Sequence, residues 1–513
     1  MEYSTYIVCG LLPLLFDKLD GDKSVVGNSG PSLEQKIGDI VQALGETLTR
    51  LSQEFVGQPV NPERTFAFEH QLDERLREAG RQVVQAAYNH AEPAAESLPK
   101  HLWFEGLYTR LNQKTPQNVW TLFGQVRLRR VGYRPSAKSG DATLFPLAMA
   151  LGLIHGATPA LAERAAGLMG DTGMTQQAVL RRLRQDHGVG WGVKKLREVT
   201  AFVSVEMAEQ RQEVQAEKLL ELLRQATASR GAHKPVLSVG RDGITLGMRC
   251  QGGSVHEVAS CGTVTVLDRR GRRLGTVYLA YVPEFGQGTM SKQLTQLLKE
   301  TLKRWDGPLP RLCYVTDSGD NETTYYDKVL SRMKHPRTGE PLEWIRVADY
   351  YHASERLWTM AELLFGKGSR ATSWVRKMQK WLLKPSGVYR VLHSAAALKQ
   401  LHELHNKKLK EFNKAYRYLR DRMPYMNYAA YRKLGVPLGS GVTEAGCKTV
   451  YTQRLKLSGM RWQKAGAQRI LQLRVLLLSG VWNTAYQRVL CGMKQPTVWG
   501  QAAKLKPMAK TAA

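Results

Sequence analysis

Between residues 236 and 349 the chain passes through β-rich and amphipathic stretches in an order that few folds accommodate. Residues 237–246 and 257–267 are apolar and β-branched. The turn Asp268-Arg269-Arg270-Gly271-Arg272-Arg273 follows, and residues 274–282 complete three consecutive antiparallel strands. Residues 291–305 carry helical spacing, 311–316 read as a strand ending at Asp317, 325–333 as a helix, and 344–348 as a strand ending at Asp349.

Three strands, helix, strand, helix, strand is the order expected of an α/β, ribonuclease H-like core, a mixed sheet with helices on its faces. In that arrangement a carboxylate on the first strand and another after the fourth lie on adjacent strands. The first-strand carboxylate is Asp242, within Ser238-Val239-Gly240-Arg241-Asp242-Gly243. Asp is disfavoured in a strand and costly to bury as an anion, so it needs a positive partner there. Neighbouring Arg241 or a bound metal ion would serve. The alternative is a hairpin turn at 240–243 with a solvated Asp at its tip.

The chain has 513 residues, enough for several domains, and its 74 Lys and Arg against 45 Asp and Glu give a net charge of +29. An excess that large points to a polyanionic partner, most often nucleic acid. The six cysteines are scattered without metal-finger spacing, which predicts reduced thiols in a cytoplasmic protein and no structural zinc. The apolar stretch 6–16 is too short to span a bilayer, so no membrane is expected.

Residues 1–118 read as a helical N-terminal region, with helices at 33–55 and 66–91 and a link at 21–31. Residues 119–232 read as a DNA-binding region. It opens on a basic β-like run at 119–133, either a strand pair touching phosphates or a solvated edge protected by charge. Helices at 146–155 and 159–169, a glycine turn and a helix at 175–187 then give a helix-turn-helix pattern at about 157–190. Gln176, Gln177, Arg181, Arg182 and Arg184 would face the DNA. An ordinary helical hairpin is the alternative. Residues 193–230 read as a long charged helix, a connector or dimerisation arm.

The core's first part is placed at 233–356, and an all-α insertion at 357–435 interrupts it, with helices at 357–365, 371–383 and 394–423. From 375 to 420 the only acids are Glu403 and Glu411, against twelve Lys and Arg, which suits a phosphate-lined groove. The final catalytic helix falls within 436–480, after the glycine-rich approach Leu438-Gly439-Ser440-Gly441-Val442-Thr443-Glu444 and running to about 455. Beyond Glu444 there is no Asp or Glu at all, and 481–513 form a basic tail.

Phosphodiester hydrolysis and strand transfer need one oxygen activated and another stabilised as it leaves. Two Mg²⁺ ions about 3.5 to 4 Å apart do both, held by Asp and Glu oxygens. The candidate set is Asp242, Asp317 and Glu444. Asp320 is a rival to Asp317, but it falls where a helix starts.

These segments, together with Val315-Thr316-Asp317, Ala348-Asp349-Tyr350-Tyr351-His352, Cys447-Lys448, Arg454-Leu455-Lys456 and Ser458-Gly459-Met460-Arg461-Trp462, resemble the DDE transposases of the Kra-type bacterial insertion sequences. The resemblance covers roughly residues 120 to 480. It implies that Asp242, Asp317 and Glu444 bind two Mg²⁺ ions, with Mn²⁺ able to substitute. The element's terminal inverted repeats are then cleaved and the 3′-hydroxyl joined to target DNA. It further implies that Asp349 and His352 position DNA near the scissile phosphate; for Asp349, capping of the following helix is the alternative.

Lys448, Arg454, Arg461 and Trp462 are further expected DNA contacts. Trp374, in the insertion, would stack on a flipped base, unless it is an ordinary core tryptophan. Cutting two ends together calls for at least a homodimer on DNA. Two rival readings are a ribonuclease H-fold nuclease that does not join strands, and a non-catalytic DNA-binding protein.

Overall fold

The computed structural model describes residues 31–493, apart from 105, 136–141, 172 and 252. The expectations for residues 6–16, for most of the 21–31 link and for the tail beyond 493 lie outside the described residues.

Helices α1 (Leu33–Val56) and α2 (Pro62–His90) pair at the N-terminal end. Ser32 and Gln35 exchange a reciprocal capping box at the start of α1. Strands β1 (His101–Trp103) and β2 (Leu107–Arg110) join β5 (Tyr133–Pro135) in a small sheet, while β3 (Thr115–Thr121) and β4 (Gly124–Arg130) form an antiparallel ribbon. Along β4, Val126 and Leu128 are buried and Arg127 and Arg129 face away. The β4 edge is closed by α2: Gln85 Oε1 accepts from Arg127 N and Asn89 Oδ1 from Arg129 N, both at 2.8 Å. Amide side chains, rather than charge alone, protect this edge.

Helix α3 (Pro146–Ala150) is shorter than expected, because Gly152 and His155 take left-handed backbone at φ 62° and 48°. Then come α4 (Pro159–Gly170), α5 (Gln176–His187), with Thr175 Oγ1 capping Ala178 N at 3.2 Å, and α6 (Val193–Ala228). Helix α6 is not a projecting arm. Leu219, Leu223 and Ala226 are fully buried with Leu237 and Val239 of the sheet, and Leu222 fills the space left by Gly275, where a Cβ would meet it at 2.8 Å.

The five-stranded mixed sheet comprises β6 (Val236–Cys250), β7 (Gly253–Leu267), β8 (Arg273–Tyr281), β9 (Arg311–Thr316) and β10 (Trp344–Ala348), in the order β10-β9-β6-β7-β8. Strands β6, β7 and β8 pair antiparallel, whereas β9 and β10 run parallel to β6. Helices α7 (Gly288–Arg304) and α8 (Asp320–Lys328) connect them. The hairpin-turn reading of 240–243 is overturned: β6 is continuous through Asp242, paired with β7 along its whole length. Helix α8 lies earlier than the expected 325–333.

After β10 the chain is helical: α9 (Tyr350–Phe365), α10 (Ser369–Leu382), α11 (Gly387–Leu401), α12 (Asn406–Arg422) and α13 (Tyr428–Leu434). The single helix expected at 394–423 is two, since Glu403 and Asn406 have φ of 41° and 49° and break it. Helix α14 (Gly441–Gly446) passes into a π-helical turn (Cys447–Thr452) and α15 (Gln453–Leu455), so the expected 444–455 helix changes pitch midway. Helices α16 (Lys464–Leu478) and α17 (Trp482–Gly492) close the described chain. No described helix is long and apolar enough to cross a membrane.

Candidate active site

Strand register aligns three aspartates. The parallel pairing of β6 with β9 runs from Val236 opposite Arg311 to Val239 opposite Tyr314. Three residues further along each strand come Asp242 and Asp317. In the β9–β10 pair Ala348 lies opposite Thr316, so Asp317 and Asp349 each follow the last paired residue. Polar side chains are thus brought to the carboxyl ends of parallel strands, where α/β sheets bind ligands.

Alternation along β6 separates two neighbours. Arg241 turns to the opposite face from Asp242, where it is buried, donates to Gln287 Oε1 at 2.9 Å and Ser291 Oγ at 3.1 Å, and stacks over Tyr325 at 4.6 Å. It neither pairs with Asp242 nor reaches the surface to meet DNA. Asp242 accepts instead from its own neighbour Gly243 N at 2.7 Å and from the Cys447 thiol at 3.4 Å. Burial raises its carboxyl above the usual range, those hydrogen bonds oppose the rise, and the charges of Asp317 and Glu444 add to it. The Cys447 thiol is held protonated, chiefly by Cys261 and then by burial, so it is a neutral donor.

Glu444 is delivered by close packing. A Cβ on Gly240 would lie 1.9 Å from Thr443 Oγ1, and Thr443 shares a 2.7 Å hydrogen bond with Thr263 of β7. Gly446 lies equally close to β7 and β8, where a Cβ would meet Thr263 and Tyr278 at 3.3 Å. These two glycines let α14 sit directly on the sheet with Glu444 at its exposed side.

Asp349 is fully buried and cannot contact DNA itself. One of its oxygens caps α9 through Tyr351 N and His352 N, and the other accepts from Ser440 N and, at 2.5 Å, Ser440 Oγ. Ser440 Oγ also lies 2.9 Å from Glu444 Oε1. A hydroxyl has one proton, so it serves one of these carboxylates at a time. The same Glu444 oxygen lies 3.4 Å from His352 Nε2, while His352 Nδ1 is 3.0 Å from Glu355. Burial lowers the His352 pKa, but the Glu355 hydrogen bond and the charges of Asp349, Glu355 and Glu444 outweigh it, and the net shift is upward. Ligand atoms of Asp349, His352 and Glu444 lie within 4.8 Å of one another, close enough to hold a metal ion.

The turn after β9 carries Asp317. Ser318 takes left-handed backbone at φ 63°, which costs a non-glycine residue roughly 1–2 kcal/mol. Helix α12 of the insertion braces it: Tyr418 Oη donates to Asp317 O at 2.9 Å and Arg422 Nη2 to Ser318 O at 2.7 Å. Asp320 is the exposed first residue of α8.

Sequence reasoning missed Glu322. It is buried on α8, its Oε2 would lie 2.5 Å from a Cβ on Gly319, and burial followed by the charge of Asp317 raises its carboxyl. Asp242 adds to the rise and Arg241 opposes it. The signal available was an acid in the first turn of the helix after a strand ending in Asp.

The remaining expected contacts divide. Gln177, Arg181 and Arg184 are exposed at positions that share one face of α5. Arg182 is tied to Asp186 at 2.7 Å, and Gln176 accepts from Arg197 at 2.8 Å. Lys448 and Arg461 are exposed and Trp462 is half-buried, but Arg454 is buried. Trp374 lies in the core of the insertion, 9 % exposed, with its indole donating to Ser394 Oγ at 3.1 Å, and offers no free face to a base.

No protein-family model matches the chain. Over 376 residues it is 25 % identical to a protein of Streptococcus gallolyticus described as "UPF0236 protein in vanSb 3'region", an alignment covering 72 % of this chain and 74 % of that protein.

Proposed function

We propose that the chain is a DDE transposase of the Kra insertion-sequence type, cutting the ends of a DNA element and joining them to a target. The observation that carries this reading is geometric: parallel pairing of β6 with β9 brings Asp242 and Asp317 to neighbouring strand ends, and the Thr443–Thr263 hydrogen bond seats Glu444 of α14 on the same sheet. Carboxylates brought to one place repel one another, and a bound cation is one way to offset that repulsion. The donors are hard oxygens, which fits Mg²⁺ and its common substitute Mn²⁺. Bound there by Asp242, Asp317 and Glu444, such ions would supply activation of the attacking oxygen and stabilisation of the leaving one. The strand order supports a ribonuclease H-like core.

The chain's own residues do the positioning. Asp349 locks the start of α9 to Ser440 and so fixes the approach to Glu444. His352 Nε2 lies 3.4 Å from the Glu444 carboxylate, a contact that orients that side chain. Gln177, Arg181 and Arg184 on α5 would grip double-stranded DNA, and the net charge of +29 favours that encounter. Two element ends require two such sites, hence at least a dimer on DNA.

The test is incubation of the full chain with a duplex ending in the element's terminal inverted repeat, a target plasmid and Mg²⁺. Cut ends and joined products are expected, both lost in Glu444→Gln. Cut ends without joined products would favour a nuclease, and binding without cutting a non-catalytic DNA-binding protein.

A further inference from the structure

Away from the acid cluster, a cavity of about 840 Å³ opens where three helices begin. Gln176 and Gln177 lead α5, Val193 leads α6, and Ala465 and Gly466 lie in the first turn of α16; all of them line the space. The positive ends of three helix dipoles therefore converge on it. Arg197, Arg249, Arg454, Arg461 and Arg469 line it as well, and no Asp or Glu does. Five guanidinium groups around one space without a carboxylate call for an anion.

Arg454 gives a second, independent indication. Its side chain is 1 % exposed, Nε donates to Met169 O at 3.0 Å, and Nη1 has no hydrogen-bond partner. Burial lowers its guanidinium to about 10, Arg474 adds to that, and Asp171, which does not line the cavity, opposes it. A buried donor left unpaired is costly, and an anionic oxygen at the cavity wall relieves that cost.

The walls offer more than positive charge. Trp462 lines the cavity with its indole fixed to Leu455 O at 2.9 Å, and Met169, Met460 and Ile470 add apolar surface. The Trp462 indole, which Arg454 overlies at 5.5 Å, the apolar wall and the arginines together match a nucleotide, its base set against the indole and its phosphate paired. The place is also fixed relative to Asp242. Arg249 N donates to Trp462 O at 2.8 Å and Trp462 N to Gly247 O at 3.2 Å, so this segment is stitched to β6 beyond Asp242. At about 3.3 Å per residue the two sites lie about 20 Å apart along one strand.

We infer that this cavity seats an unpaired nucleotide of a DNA strand, its phosphate among the arginines and its base against Trp462. The inference rests on the proposed DNA-processing role for the source of the nucleotide. The test therefore omits the metal, so that failure of the carboxylate reading and failure of this one are separable. In EDTA, the full chain is titrated with a labelled duplex bearing a 5′-phosphorylated overhang of several nucleotides, and with a blunt duplex of the same sequence, by fluorescence anisotropy.

The overhang is expected to bind about tenfold more tightly. The preference should disappear in Arg461→Ala with Arg469→Ala, two exposed positions whose loss leaves the fold intact, and in Trp462→Ala, but persist in Trp462→Phe. Equal binding of the two duplexes overturns the inference, as does a preference that survives in the double arginine variant. Displacement of the overhang by thymidine monophosphate at the same affinity would overturn the DNA strand as the source.

Discussion

The Tyr418 hydroxyl donates to the Asp317 carbonyl across 2.9 Å, so a helix of the insertion holds the backbone that aims a cluster carboxylate. With Arg422 on Ser318 it pins a left-handed residue between β9 and α8. The insertion is therefore part of the site's scaffold. Tyr418→Phe should lower stability by about 1 kcal/mol, the usual worth of one hydrogen bond. Metal-dependent cleavage should fall further, roughly tenfold, because the turn loses its brace. Chemical denaturation and single-turnover cleavage check the two effects separately.

Gly240 is required by contact. An added Cβ would lie 1.9 Å from Thr443 Oγ1 and 2.9 Å from Thr263 Oγ1, forcing α14 off the sheet. Gly240→Ala should cost about 1–3 kcal/mol and remove cleavage through displacement of Glu444. Adding Thr443→Ala relieves the closest clash and should restore part of both, read by thermal melting and cleavage of the double variant.

Asp268 shapes the β7–β8 turn, accepting from Arg270 N and Arg272 N at 2.8 Å and from Arg272 Nε at 3.0 Å. Burial works against its charge, but these hydrogen bonds prevail and depress its pKa. A depressed carboxylate contributes stability that is present above its unfolded pKa, about 3.9, and is lost as pH falls through the lower folded value. Asp268→Asn should melt earlier than the wild type at pH 7, and the difference should shrink as pH falls below about 3.9 and vanish once it is below the lowered folded value. Melting curves across that range decide it.

Asp242 titrates in the other direction. Its carboxyl is raised by burial and by Asp317 and Glu444, so it keeps its proton to higher pH than an exposed Asp. Cation binding must displace that proton. Mn²⁺ affinity should therefore fall as pH drops through the raised value, by about tenfold per pH unit for one proton. Calorimetry in buffers of different ionisation enthalpy should show proton release on binding.

Strands β9 and β10 were legible because they are short, apolar and closely bounded: they match the segments read from the residues, and Asp317 and Asp349 follow each, whereas β6 and β7 run on beyond the segments read to Cys250 and back to Gly253. The register that aligns Asp242 with Asp317 follows from parallel pairing and could be anticipated from strand order. Glu322 gave only the weak signal of a first-turn acid after a strand ending in Asp, because it is the turn at Gly319 that folds it toward Asp317. The break between α11 and α12 was hidden because Glu403 gives no sign of left-handed backbone and Asn406, though it tolerates that backbone, is a weaker sign than glycine. Of the two offsets left open for Asp242, Arg241 is excluded by alternation along β6, which sends it to the face opposite its neighbour, against Tyr325. The arginine cavity joins residues from α5, α6, β6 and α16, a convergence that no local pattern encodes.

Asp242, Asp317 and Glu444 are proposed to hold the catalytic metal together. The most direct measurement is the number of Mn²⁺ ions bound by the chain on an element-end duplex, counted by electron paramagnetic resonance. Two tightly bound Mn²⁺ are expected in the wild type, and loss of tight binding in Asp242→Asn, Asp317→Asn and Glu444→Gln, each still folded by circular dichroism. Tight Mn²⁺ binding that is unchanged in all three variants, or absent from the wild type on DNA, would contradict that proposal.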